Sequence, residues 1–327
     1  MKAMLVKNQV LSYEEVDNPT LNDESILIDV VCVGVNRADL LQRDGKYPSP
    51  AGWPHWMGLE LSGVISKMGK VAQEKTSLKV GEKVCALVGG GAYAEQIAVP
   101  CQLVLPMPKN LSFEEASAIP EVYTTSYLNL FFEGKIQKGD ICYIAAGASG
   151  LASAAIPMAK VFGAHVITSV QNKQMAEQIK HLDADYVINQ EEESIPDVFA
   201  RYEKENRPVK VVMDCLSGEE MGEALQYMAK GGYWVVISTL AGIETKIYLR
   251  PLLTKGLHVV GSMLRNKTND EKQLLLNGLK KTFWPSFENG SLKVNISKVF
   301  PIEEAEIAHQ LLLSGKNVGK IVLRVRK

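Results

Sequence analysis

Ile141-Cys142-Tyr143-Ile144-Ala145-Ala146-Gly147-Ala148-Ser149-Gly150-Leu151-Ala152-Ser153 carries the turning point of the chain. A short apolar run ends in small residues, and an Ala-rich helical text follows. A strand that enters a helix through such a turn lets backbone N–H groups and the helix dipole meet a phosphate closely. The spacing is part of a G-x-G-x-x-G fingerprint: glycines stand at Gly147 and Gly150, and Ala152 takes the last position, where Ala is tolerated. Ser149, Gly150 and Leu151 are therefore candidate phosphate contacts. A tight strand-to-helix turn that binds nothing has the same text, so this segment alone leaves both readings open.

Downstream the chain alternates between strands and helices, which points to a parallel sheet. Strands are expected at His165–Thr168, Tyr186–Ile188, Val209–Met213, Tyr233–Ile237 and Leu257–Gly261. Helices are expected at Ala152–Phe162, where Pro157 should kink or shorten the element, at Met175–Leu182 and at Gly222–Ala229. Upstream, runs such as Ile26–Val33, Gly63–Ile65 and Lys83–Val88 are broken by Gly, Pro and Asn, the text of a β-rich domain. Gly89-Gly90-Gly91 reads as a tight turn or a close backbone approach. The tail returns to mixed text, with amphipathic helices at Asp270–Lys281 (Leu274, Leu275 and Leu279 on helical spacing) and Ile302–Leu313. A last strand is expected at Lys320–Val325. The fold class is α/β plus β: a doubly wound parallel-sheet domain, 121–264, inserted between 1–120 and 265–327 of a β-rich domain.

Composition narrows the function. With 327 residues, 46% hydrophobic and 22% charged, the chain is an ordinary globular one of about two domains. Its 36 Lys+Arg against 37 Asp+Glu, without basic runs, argue against a nucleic-acid partner. No run of apolar residues is long enough to span a membrane, and the text around Met1–Lys7 lacks the apolar core of a signal peptide. Five scattered cysteines without C-x-x-C spacing suggest neither a disulfide framework nor a zinc ribbon. A cytoplasmic location is the expectation.

The end of the second expected strand bears on the cofactor. An NAD site calls for an acid there to hold the ribose hydroxyls. Thr168-Ser169-Val170-Gln171-Asn172-Lys173 contains none. Ser169 and Lys173 suit a 2′-phosphate, which favours NADP(H); the plainer alternative makes Lys173 the solvated start of a helix.

Gly34-Val35-Asn36-Arg37-Ala38-Asp39-Leu40-Leu41-Gln42-Arg43-Asp44-Gly45-Lys46-Tyr47-Pro48, Gly58-Leu59-Glu60-Leu61-Ser62-Gly63, Gly91-Ala92-Tyr93-Ala94-Glu95, Ile119-Pro120-Glu121, Asp214-Cys215, Ser262-Met263-Leu264-Arg265 and Gly319-Lys320-Ile321-Val322-Leu323 add to the Gly147 turn. With them the chain resembles, along nearly its whole length, the zeta-crystallin-like quinone oxidoreductases of the medium-chain dehydrogenase/reductase superfamily. The Arg-Ala-Asp-Leu-Leu-Gln-Arg version is similar to the branch that includes a tumour-suppressor-inducible quinone reductase. The resemblance implies a Rossmann domain inserted into a GroES-like substrate domain, NADPH in the cleft between them, and a homodimer joined along the Rossmann sheet edges. It implies catalytic roles for Asn36 and Tyr47 as hydrogen-bond donors to a quinone or enone oxygen. Cofactor contacts are implied at Thr125, at Ser262, Leu264 and Asn317 near the nicotinamide, and at Lys320. Zinc relatives carry a ligand Cys where Asn36 stands and a ligand His where Leu59 stands, so no metal is expected. The family usually has Tyr where Gln190 stands and Gly where Ala152 stands.

The five histidines form no spaced ligand set and read as structural. Cys215 reads as packing and Glu191-Glu192-Glu193 as a solvated loop. Trp53 and Trp56 either roof a pocket beside Tyr47 or anchor their loop. The expected activity is NADPH-dependent reduction of a quinone or related conjugated carbonyl. Two alternatives stand beside it: an enoyl or 2-alkenal reductase, and a non-catalytic NADPH-binding protein.

Overall fold

The computed structural model describes residues 1–7 and 10–326. Two compact units emerge: Met1–Thr124 together with the chain from Lys267 onward, and Thr125–Asn266.

The second unit is built on a six-stranded sheet in the order Tyr186–Asn189, His165–Val170, Ile141–Ile144, Val211–Asp214, Tyr233–Val236, His258–Gly261. Every adjacent pair is parallel. The first three strands therefore run outward in one direction from the centre and the last three in the other. The reversal falls between Ile141–Ile144 and Val211–Asp214, the place where doubly wound sheets open a crevice at their carboxyl ends. Both central strands are buried along their whole length, which explains why their text is continuously apolar and not alternating. Tyr143, Phe199 and Trp234 anchor one core of this unit. Trp234 Nε1 donates to Asp214 Oδ2 (2.8 Å), while Asp214 Oδ1 accepts from the amides of Leu216 (2.8 Å) and Ser217 (3.0 Å). Asp214 thus shapes the turn after its strand.

Helix Ala152–Phe162 passes through Pro157 without being shortened. Proline removes one N–H from the helical ladder, but Ala154, Ala155, Ile156, Met158 and Ala159 are all buried and hold the element across the gap. Gly163 ends it in the left-handed conformation (φ 97°). Two other helices are shorter than expected. Lys173–Gln178 gives way to a 3₁₀ turn at Lys180–Leu182, and Glu219–Ala224 to one at Leu225–Tyr227.

The first unit carries a seven-stranded sheet along Ile296–Pro301, Lys320–Arg324, Ser25–Val35, Glu60–Met68, Lys83–Leu87 and Val104–Pro106, with Gln96–Pro100 also paired to Ser25–Val35. The end of the chain is thereby laid antiparallel on its beginning, Ile321 opposite Val35 and Val322 opposite Gly34. Helix Asn269–Glu288 extends well past Lys281, because Phe283, Trp284 and Phe287 continue its buried face through Pro285. Leu274, on helical spacing with Leu275 and Leu279, is instead 61% exposed. Ile302–Glu304 is a 3₁₀ turn ahead of helix Ala305–Ser314. Among the described residues no helix is long and apolar enough to cross a membrane.

Candidate functional site

Each unit contributes a constellation of its own. In the second unit it is the turn after Ile141–Ile144. Ala145 N–H donates to Met213 O (3.0 Å), Ala146 takes a left-handed φ of 55°, and Gly147 N–H donates to Ser169 O (2.7 Å). A side chain at Gly147 has no room: its Cβ would stand 2.6 Å from Thr168 Oγ1. That hydroxyl is itself pinned, donating to Ile144 O (2.6 Å). Ser149 Oγ accepts from Ala152 N–H (3.1 Å) and Ser153 Oγ donates to Gly150 O (2.8 Å), so two hydroxyls organise the entry of the helix. No acceptor among the described residues meets the N–H groups of Gly150 and Leu151. Free amides at the start of an eleven-residue helix form an anion-binding arrangement.

At the neighbouring strand end, Ser169 is fully buried and its hydroxyl shares a hydrogen bond with Tyr143 OH (2.7 Å). Asn172 caps helix Lys173–Gln178 by accepting from Met175 N–H (3.0 Å), which places Lys173, exposed, at its first position. Gln190 is exposed and donates to Glu220 (3.3 Å). Ser262 N–H donates to Val236 O (2.9 Å), while its buried Oγ has no partner. Leu264 is buried in the following 3₁₀ turn. Thr125 is half-buried in helix Pro120–Tyr127, its carbonyl accepting from Asn129 Nδ2 (2.7 Å). Burial pushes the Cys215 thiol up to about 12, which keeps it from being a nucleophile.

In the first unit, strand Ser25–Val35 ends at Asn36, the N-cap of helix Arg37–Arg43. The Asn36 amide is held at both ends. Lys320 Nζ donates to its Oδ1 (2.7 Å), and its Nδ2 donates to Glu60 Oε1 (3.0 Å) with a longer contact to Gly34 O (3.4 Å). Lys320 Nζ also meets Glu60 Oε1 (2.7 Å) and Val35 O (2.9 Å), so the buried ammonium has three acceptors. Glu60 Oε2 accepts from Glu121 N–H (2.9 Å). Gly34 makes room for this carboxylate: a Cβ there would collide with it.

Behind the amide lies a second chain of polar groups. Buried Asp39 accepts from the amides of Asn36 (2.8 Å) and Gly58 (3.1 Å) and from Tyr93 OH (3.2 Å). Desolvation raises its pKa to about 6, although Asn36 N–H, Lys320, Gly58 N–H and Tyr93 all pull it down. Tyr93 OH also lies 3.3 Å from His309 Nε2. With the phenolic proton directed at Asp39, His309 is the donor in this contact, and its buried Nδ1 has no partner. Burial, with Arg43 nearby, lowers His309 to about 4, so the ring is neutral at ordinary pH.

Asn36 and Lys320 are thus brought together. Asn317 is also buried, its Nδ2 donating to Gly319 O (2.9 Å) in the turn that leads into Lys320. Tyr47 is half-buried in the loop after helix Arg37–Arg43. Gln42 Nε2 ties that loop to Ser49 Oγ (2.9 Å) and His55 O (3.0 Å). Trp56 Nε1 donates to Gly91 O (3.0 Å), and a Cβ on Gly89 would stand 2.6 Å from Trp53 Nε1, so the glycine run is a close approach to the tryptophan loop. Sequence reasoning singled out neither Asp39, Tyr93, Glu121 nor His309 as functional. The first three lie in recognised motifs, but only the tertiary contacts show which polar atoms meet.

Comparison with known proteins agrees with both halves. Residues 22–109 match the family model of the alcohol dehydrogenase GroES-like domain, and 150–280 that of zinc-binding dehydrogenase. The chain is 30% identical over 311 residues to the quinone oxidoreductase-like protein 2 homolog of Nematostella vectensis, covering 94% of this chain and 83% of that protein. It is 26% identical over 307 residues to the quinone oxidoreductase of Sus scrofa, covering 93% and 90%. The quinone oxidoreductase of Thermus thermophilus, whose structure is known alone and with NADPH, superposes with a TM-score of 0.80 at 28% identity over 99% of this chain and 100% of that one. The name of the second family model raises zinc as a ligand, and the donors present do not suit it. Position 36 offers an amide, position 59 a leucine, and the Glu60 carboxylate already faces an ammonium. No group of three or more His, Cys, Asp or Glu that could hold a metal occurs among the described residues. The chain belongs to the quinone oxidoreductase-like family of the medium-chain dehydrogenase/reductase superfamily.

Proposed function

We propose that the protein reduces quinones, or closely related conjugated carbonyls, with NADPH and without zinc. The whole-length similarity to quinone oxidoreductases carries the choice of acceptor. The protein's own residues fit the cofactor. Gly147 leaves a cradle that a Cβ would fill, the Gly150 and Leu151 amides are free to meet a pyrophosphate, and the buried Ser262 hydroxyl lacks a partner. Ser149 is the hydroxyl that shapes this turn. Lys173, exposed at a strand end without a carboxylate, favours the 2′-phosphate of NADPH over the bare ribose of NADH, while the buried Ser169 hydroxyl, engaged by Tyr143 OH, supports that strand end from within. Thr125, Leu264 and Asn317 complete the proposed set; the Lys320 ammonium, buried on three protein acceptors, acts through Asn36 and not on the cofactor directly.

Bound NADPH would supply a hydride to the acceptor. The protein's part is to hold the acceptor oxygen and stabilise the charge it gains. Asn36 and Tyr47 are the proposed donors. The Lys320 ammonium on Asn36 Oδ1 polarises the amide and strengthens its N–H groups as donors. The second N–H, whose contact with Gly34 O is 3.4 Å, is the one available for exchange. The five cysteines are all free, as suits a reducing compartment such as the cytoplasm.

The test is NADPH consumption by the purified protein with 1,2-quinones, 1,4-quinones and a 2-alkenal, and with NADH in parallel. Turnover of quinones with preference for NADPH is expected. Lys173→Ala should raise the NADPH dissociation constant about tenfold and leave that for NADH nearly unchanged, in keeping with one charge-assisted contact. Equal losses for both cofactors would remove the 2′-phosphate from Lys173. Turnover of the 2-alkenal alone would make the protein an enoyl reductase, and binding without turnover a carrier of NADPH.

A further inference from the structure

In the first unit, Asn277, Lys281, Trp284 and Glu288 recur at helical spacing along Asn269–Glu288 and so share one side of that helix. Beside this stripe runs the chain that leaves strand Val104–Pro106. The two enclose a groove of about 470 Å³, the size of a small-molecule site. Its floor is apolar: Pro106, Met107, Pro285 and the Trp284 indole. Both walls are fixed. Trp284 is buried and its Nε1 donates to Pro106 O (3.0 Å), Met107 N–H donates to Lys83 O (3.0 Å), and Asn110 Nδ2 donates to Glu288 O. The rim is cationic. Lys109, Lys280 and Lys281 stand there against one acid, Glu288, and none of the three has an ion-pair partner among the described residues. Other surface lysines do find carboxylates, as Lys75 does with Glu24 and Lys180 with Glu177. The chain as a whole is balanced, 36 Lys+Arg against 37 Asp+Glu, so the surplus is local. The helix dipole does not account for it, because that effect is confined to the last turn, which contains no basic residue.

We propose that this groove binds a small organic anion, its acidic head held by the lysines and its aromatic body laid on Met107, Trp284 and the two prolines. Charge complementarity chooses the head: ammonium groups gathered beside a low-dielectric wall concentrate anions and repel cations. The apolar floor chooses the body, since covering it removes both surfaces from water. Neither part suffices alone. An inorganic anion leaves the floor wet, and a neutral ring leaves the lysines facing one another. The groove shares no residue with the Asn36 cluster or with the turn at Gly147. It is a second site, and the inference does not rest on the reductase reading.

The probe is 2-naphthyl phosphate, titrated by calorimetry into the full chain with NADPH at saturation, so that the nucleotide site is already filled. One equivalent should bind, with 2-naphthol and inorganic phosphate each at least about tenfold weaker. Lys280→Ala combined with Lys281→Ala should raise the dissociation constant about tenfold or more and leave that of NADPH within about twofold. Added salt should weaken wild type towards the variant, because the lysines are exposed. In protein labelled with carbon-13 at its methionine methyls, the Met107 signal, assigned with Met107→Leu, should move along the same binding curve. Absence of binding at about 1 mM overturns the proposal. So does 2-naphthol or inorganic phosphate binding as tightly as the ester, which would reduce the groove to an apolar hollow or to a surface that collects counter-ions. Binding that the double variant leaves undiminished, or that leaves the Met107 signal in place, belongs elsewhere on the molecule and overturns it equally. Should the double variant not fold, the Met107 signal of wild type decides alone.

Discussion

Lys320 and Asn36 stand 284 positions apart and 2.7 Å apart in space. The Gly319-Lys320 motif draws attention to the lysine, but what its ammonium touches depends on the register that lays Ile321 against Val35. No linear pattern encodes that register. The burial of the pair makes it testable. Lys320 and Glu60 side chains are 4% and 0% exposed, so Lys320→Met would strand a carboxylate away from water. Removing one partner of a buried ion pair costs about 3–5 kcal/mol. Urea denaturation should show a loss of that size for Lys320→Met. Adding Glu60→Gln, which takes away the orphaned charge, should recover part of it. A loss below about 1 kcal/mol for the single variant would mean that water reaches Glu60 and that Asn36 is not rigidly held.

At the level of elements, strands and helices were largely legible and their ends were not. Continuous apolar text located all six parallel strands; covered faces account for it at the central strands Ile141–Ile144 and Val211–Asp214, whereas the edge strand His258–Gly261 is apolar and largely exposed. Helix ends depended on capping and on burial that the periodicity of a few leucines does not reveal. Asn269–Glu288 begins at a Thr268–Glu271 capping box and runs on as far as its aromatic face finds a partner. The turn at Gly147 was legible as a motif, and its rigidity is what the structure adds. Thr168 Oγ1 cannot swing away from a new Cβ at position 147 without releasing Ile144 O. Gly147→Ala should therefore destabilise the protein by about 1–3 kcal/mol, the range for overpacking. It should also weaken NADPH by shifting the Gly150 and Leu151 amides. Both are measurable in one thermal titration, as Tm without nucleotide and its rise with added NADPH. An unchanged Tm would show that the strand end yields, and that the close packing of the turn is not what positions the amides.

For the whole molecule, the parallel sheet ends in two strands paired on one side only, Tyr186–Asn189 and His258–Gly261, and the second bears on the state of assembly. Strand His258–Gly261 pairs with Tyr233–Val236 on one side and, among the described residues, with no strand on the other. An open edge is a template for another chain unless charge, a bulge or a covering element blocks it. The strand and the chain that leads into it carry exposed apolar residues: Ile243 is 83%, Leu249 68%, Leu253 81%, Tyr248 57% and Val259 45% exposed in the single chain. So many large exposed apolar side chains within seventeen residues of sequence suit an interaction surface. A twofold axis beside the edge would pair each strand with its copy and cover the leucines at the same time, since a dimer of this type repeats every contact. We infer a homodimer joined there. Burying a leucine contributes about 2–3 kcal/mol, and the symmetry doubles it, so Leu253→Glu should raise the dimer dissociation constant by on the order of 1,000-fold or more. Light scattering after gel filtration should give twice the chain mass for wild type and the single chain mass for the variant. Far-UV circular dichroism should not change, because Leu253 supports nothing within its own chain. A wild type that elutes as a monomer at every concentration would sink the edge-to-edge dimer and leave the apolar strip to a partner of another kind.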